Sequence, residues 1–147
     1  MNADILVKEL GSRIGIELAF DADGICAFKA DDMVIVLHNL NDYEIALVGD
    51  IGEPPLDGLE SLYRTMLEAN HLFGGTGGAT ISFDAERDSF ALVKIFDTRP
   101  LDADTFIEAV SKFTSVLEVW TKLTANWRGT LDETQPGSSR PNDVIMV

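Results

Sequence analysis

The chain has 147 residues and a mass of 16.1 kDa, room for one domain and not for two of ordinary size. Its 46% hydrophobic and 24% charged residues supply a core, which excludes a wholly disordered chain. With 11 Lys+Arg against 25 Asp+Glu the formal net charge is -14, a sign that repels phosphate backbones and anionic headgroups and suits a neutral or basic partner.

Residues 3–18 read as a short helix ending in a turn. Leu6, Leu10 and Ile14 recur at helical intervals, and Gly15, free to take a positive φ, is its natural stop. Three short strands follow, 25–29, 33–40 and 43–49, separated by the turns Asp21–Gly24, Ala30–Asp32 and Asn41–Asp42. Connections this short allow only an antiparallel meander, because a parallel pair needs a crossover of about a dozen residues or more. Asp50 to Pro55 is a linker. A second helix is expected over 56–71, opened by Asp57 and Glu60 in capping-box spacing or by the two prolines, with Leu59, Leu62, Tyr63, Met66, Leu67 and Asn70 on one face.

The glycine-rich loop 74–78 precedes a hairpin of 79–84 and 89–96, on which Ile81 and Phe83 share one side. The longest helix begins near Asp102 and runs to about Trp127, with Phe106, Val110, Phe113, Leu117 and Trp120 in a 3–4 rhythm. Beyond Arg128 prolines, glycine and serines take over, so a domain over 1–128 and a mobile tail over 129–147 are expected, the tail ending in apolar Val144–Val147. The order α-β-β-β-α-β-β-α makes an α+β domain with an antiparallel sheet.

Nothing in the pattern selects a reacting centre. The GGTGG run lacks the Lys-Ser/Thr of a phosphate loop and leads into a strand, so it reads as a hinge or a disordered loop. The aspartates between 21 and 32 lack calcium-loop spacing, and His38 and His71 stand alone. The single Cys26 can close no internal disulfide and sits in an apolar strand without a neighbouring cation to activate it. No cofactor or metal is expected. The N-terminal stretch carries acids and no long apolar run, so the expectation is a cytoplasmic protein with no membrane insertion. The apolar stripes exceed what one small core needs, and Tyr63 and Met66 suit an interface.

These segments resemble the class I type III secretion chaperones, small acidic proteins related to the Tir chaperone. The likeness lies in LxxELGSRIGI (6–16), LAFDADGICAFKADDMVIVLHN (18–39), LESLYRTMLEANHLFGGTGGATISFDAERDSFAL (59–92) and FxxxVxxFxxxLExW (106–120), in that order. It covers residues 3–127 and implies a bacterial homodimer that holds the N-terminal segment of a secreted effector extended, without ATP and without catalysis. The resemblance places dimerisation on the second helix and the following strand, with Leu59, Leu62, Tyr63, Met66, Leu67, Ile81 and Phe83 as the candidates here. It places effector contact on the first helix and the sheet, with Leu6, Leu10, Ile14, Ile25, Phe28, Met33 and Ile35 as candidates. The alternatives are a small α+β ligand-binding or regulatory dimer, or an enzyme, either of which needs a pocket with converging polar groups.

Overall fold

The computed structural model describes residues 1–127; the tail expected from 129 onward lies outside the described residues. Helix α1 (Ala3–Ile14) is followed by β1 (Ile25–Ala30), β2 (Met33–Asn41), β3 (Glu44–Gly52), α2 (Leu59–Asn70), a short 3-10 turn (His71–Phe73), β4 (Thr80–Asp84), β5 (Ser89–Asp97) and α3 (Ala103–Ala125). The five strands form one antiparallel sheet in the order β1-β2-β3-β5-β4, which makes β1 and β4 its edges. The chain divides into two compact units, Met1–Gly49 with Val93–Thr114, and Asp50–Leu92 with the chain from Ser115.

In the first unit, α1 starts where the Asn2 side chain accepts from Asp4 N and stops at Gly15, left-handed at φ 83°. Leu6, Val7 and Leu10 are buried along one stripe. Gly11 belongs to that stripe because a Cβ there would lie 2.6 Å from Ile16 O and 2.8 Å from Leu18 N. The β1–β2 hairpin closes through Asp31 and Asp32, with Asp31 at φ 54°, a conformation aspartate tolerates. Asp21 Oδ1 accepts from Asp23 N and Ile25 N, which sets the turn into β1. Phe96 of β5 meets Phe106 of α3 edge-to-face at 6.1 Å.

In the second unit, α2 begins three residues later than the sequence reading placed it. Its N-cap is Gly58, left-handed at φ 72°, and no side chain caps the helix, so the Asp57–Glu60 box does not form. The positive φ at this position gives glycine the cap that an aspartate one residue earlier cannot reach. Two indoles of this unit hold the segments flanking α2: Trp127 Nε1 donates to O of the N-cap Gly58 at 2.9 Å, and Trp120 Nε1 donates to Gly75 O in the loop beyond the 3-10 turn at 2.9 Å. Leu62, Met66 and Ala69 form the buried stripe of α2. Asp102, as expected, opens α3: its Oδ1 accepts from Thr105 N, and Thr105 Oγ1 accepts from Asp102 N.

Candidate functional site

Strand alternation and register divide the first unit's sheet into two faces. Cys26 pairs with Leu37 and Phe28 with Ile35, while Leu37 pairs with Leu47, and all five side chains are buried. The other face carries Ile25 opposite His38, Ala27 opposite Val36 and Lys29 opposite Val34. Ile25, Ala27, Lys29 and Val34 are exposed there, and Val36 and His38 are half-buried. Gly24 O accepts from Asn39 N, so by the antiparallel alternation Cys26 and Phe28 bond to β2 while Ala27 and Lys29 turn their backbone groups outward. The outward groups of Ile25 are taken by Asp21, whose N donates to Ile25 O and whose Oδ1 accepts from Ile25 N. A largely apolar face therefore adjoins an edge strand whose outward groups at Ala27 and Lys29 have no partner among the described residues.

The residues expected to contact an effector divide accordingly. Ile14 and Ile25 are exposed and Met33 is half-buried. Leu6, Leu10, Phe28 and Ile35 are buried and offer no side-chain surface in the protomer, since the inner helical stripe and the inner strand parity hold the core. Reasoning from sequence passed over Val34, whose alternation with Ile35 was legible although the covered parity was not. Burial pushes the Cys26 thiol above its ordinary value, against a smaller opposing effect from the Ala19 backbone, so it is an inert core group.

The second unit presents a different surface. Tyr63 and Leu67 of α2 are exposed, Leu67 at 70%, and with Glu60, Arg64, Glu68 and His71 they line an open groove. Phe90 is buried between two partly exposed rings, Tyr63 at 5.9 Å and Phe83 at 5.4 Å, both edge-to-face. Of the residues expected at a dimer interface, Tyr63, Leu67 and Phe83 are exposed and Leu59 is half-buried. Leu62, Met66 and Ile81 are buried within the protomer, because the i, i+4 stripe of α2 that begins at Leu62 faces inward. At the end of α2, Leu72 and Phe73 are exposed with φ of 52° and 57°, left-handed backbone that costs about 1–3 kcal/mol for a side chain of this size.

The edge of β4 is capped at one residue. The Asn70 side chain donates from Nδ2 to Ile81 O at 3.0 Å and accepts at Oδ1 from Ile81 N at 2.8 Å, occupying the outer backbone pair of that residue. Sequence reading put Asn70 on the apolar face of its helix; an asparagine there was the one visible sign of this role. Among the described residues no group of three or more His, Cys, Asp or Glu is placed to share a metal ion, and no helix is long and apolar enough to cross a membrane.

Residues 5–121 match the profile of the Tir chaperone protein (CesT) family, and the chain belongs to that family. Among solved structures it resembles the ExsC-ExsE complex, with 20% identity over 82% of this chain and 92% of that one at a TM-score of 0.72. The HopA1-SchA chaperone-effector complex is similar at 16% identity, covering 80% of this chain and 91% of that one, TM-score 0.66. The Yersinia pestis type III secretion chaperone SycH, in complex with a stable fragment of YscM2, shares 21% identity over 82% of this chain and 98% of that one, TM-score 0.63. Among proteins with curated functions none matches the sequence significantly. The α+β architecture with a five-stranded antiparallel sheet is thus the fold of secretion chaperones.

Proposed function

We propose that this chain is a type III secretion chaperone of the bacterial cytoplasm, which binds an extended N-terminal segment of an effector and keeps it ready for export. The observation that carries the reading is the open edge of β1 beside an apolar sheet face, in a protein of the CesT family. An extended segment brings unpaired backbone groups and alternating side chains. The outward groups of Ala27 and Lys29 pair with the former, and the surface of Ile25, Val34 and Val36 receives the latter. Ile14 on α1 is a further exposed apolar side chain of this unit. Such binding forms and breaks no covalent bond, so the proposal includes no turnover and no cofactor.

The second part of the proposal is a homodimer through α2 and β4, with Tyr63, Leu67 and Phe83 as its exposed apolar contacts. The family membership and the chaperone complexes of similar fold support both parts.

The test is co-expression with the N-terminal regions of secreted proteins from the same cell, followed by amide exchange of any purified complex. A protected, extended partner segment without a fold of its own is the expected result. A partner bound as a rigid globular domain, or a chain that turns over a small molecule and binds no polypeptide, overturns the reading.

A further inference from the structure

From Leu18 to Gly49 the first unit has six carboxylates, at Asp21, Asp23, Asp31, Asp32, Asp42 and Glu44, against one lysine, Lys29, and no arginine. Asp31 and Asp32 stand two and three positions from that lysine in the hairpin turn. Among the described residues, however, no ion pair holds it. Lys29 is exposed on β1, opposite Val34, on the largely apolar face of the sheet. Lysines are common on edge strands as guards against pairing between copies. The position of this one also selects which strand can pair there.

Ala27 and Lys29 are the two residues of β1 whose outward backbone groups are unanswered among the described residues. Asp21 caps Ile25 on one side, and the chain turns at Asp31 on the other. A strand added here, in either direction, sets one side chain beside Ala27 and another, two positions along, beside Lys29. Each lies about 4.8 Å from its neighbour on the same face. Ala27 is small and has Val36 behind it, so its row takes a large apolar side chain. In the next row the ammonium stands before Val34, and an apolar residue there would strip water from the charge without replacing it. A carboxylate instead pairs with it across the strands. A slip of one residue turns both side chains to the wrong face. A slip of two moves the carboxylate onto Ala27, or past Lys29 towards Asp31 and Asp32.

We propose that Lys29 sets the register of the bound segment, by pairing with an Asp or Glu two positions from an apolar residue seated on Ala27 and Val36. The proposal rests on the reading of the β1 edge as the place where an effector segment is held, and it adds the chemistry that this segment must carry. Net charge alone favours a basic partner throughout; Lys29 requires one acid at one place.

A charge exchange tests it. The probe is the N-terminal region of a secreted protein captured by co-expression, with its exchange-protected segment located. Lys29→Glu in the full chain is expected to weaken binding of that region at least about tenfold in calorimetry, with the melting temperature of the free chain unchanged. Each Asp and Glu of the protected segment is then changed in turn to Lys. One such change is expected to weaken binding to the unaltered chain and to restore binding to the Lys29→Glu chain. A protected segment with no acid two positions from an apolar residue, or exchanged charges that restore nothing, overturns the register and leaves the chaperone reading standing. Full affinity in the Lys29→Glu chain overturns it as well, and leaves Lys29 as a guard against self-pairing only. If no N-terminal region is captured at all, both readings fall.

Discussion

Each edge of the sheet is capped at one residue, by a different group. At β4 the Asn70 amide occupies the outward N–H and C=O of Ile81. At β1 Asp21 answers the outward groups of Ile25, and among the described residues nothing answers those of Ala27 and Lys29, which lie beside a largely apolar face. An open edge is an aggregation hazard unless something manages it. The two units differ in what they expose beside these edges. The first carries a sheet face with Ile25, Val34 and Val36, and the second the ridge of α2 with Tyr63 and Leu67.

The sharpest way to break this division is to truncate paired residues that differ in burial alone. Leu10→Ala in the first unit and Leu62→Ala in the second should each lower unfolding free energy by about 2–5 kcal/mol in denaturant titrations. Their exposed neighbours on the same helices, Ile14→Ala and Leu67→Ala, should stay within about 0.5 kcal/mol. Equal losses at Leu10 and Ile14 would erase the distinction between core and surface that the contact assignments depend on.

A crossed pair of charge substitutions separates the two surfaces. Leu67→Asp should weaken self-association by about 2 kcal/mol or more, roughly thirtyfold, in sedimentation equilibrium, while an isolated effector segment still binds. Val34→Asp should do the reverse, lowering affinity for the segment by a similar factor with the dimer intact. If either substitution abolishes both activities, the surfaces are one. Met66→Glu is a poor probe for this purpose, because Met66 is buried in the protomer and a charge there destabilises the fold itself.

The cap on β4 can be removed. Asn70→Ala removes both hydrogen bonds to Ile81 and should cost about 1–3 kcal/mol of stability. It should also raise the rate of concentration-dependent aggregation, followed by light scattering, towards that of a chain with two free edges. Unchanged aggregation would show that Asn70 only positions the strand.

The smallest effect concerns the start of α3. Hydrogen bonds from the Thr105 backbone N–H, then its side chain, hold the Asp102 carboxyl below the usual carboxylate range. A depressed folded-state value stabilises the protein above the unfolded value of about 4, and that contribution is lost as pH falls through the folded value. Asp102→Asn should therefore flatten the acid limb of a plot of melting temperature against pH and change little at neutral pH. An acid limb identical to wild type would show that other carboxylates carry it.

Much of this was legible in the residues. The short turns at Asp31–Asp32 and Asn41–Asp42 dictate an antiparallel meander, Gly15 ends α1, Asp102 begins α3, and the rhythm from Phe106 to Trp120 gives a helix with a buried stripe. These are local matters: a turn, a cap or a repeat is determined by residues a few positions apart. Through its resemblance to the secretion chaperones, the sequence also proposed two candidate surfaces, one on α1 with the sheet and one on α2 with β4. What it left open was which side of each element is covered. Ile35 and Val34 are both β-branched neighbours with equal claim to a core, and Met66 and Leu67 are both good helix residues. The register of β1 on β2 buries Ile35 and exposes Val34, and the pinning of α2 by Trp120 and Trp127 buries Met66 and exposes Leu67. Likewise, Asn70 finds Ile81 across the turn that brings β4 back beside α2. A strand repeats every two residues and a helix every three or four whichever face is buried, so periodicity sets the shape of each element and only packing against distant segments decides which face remains free to bind.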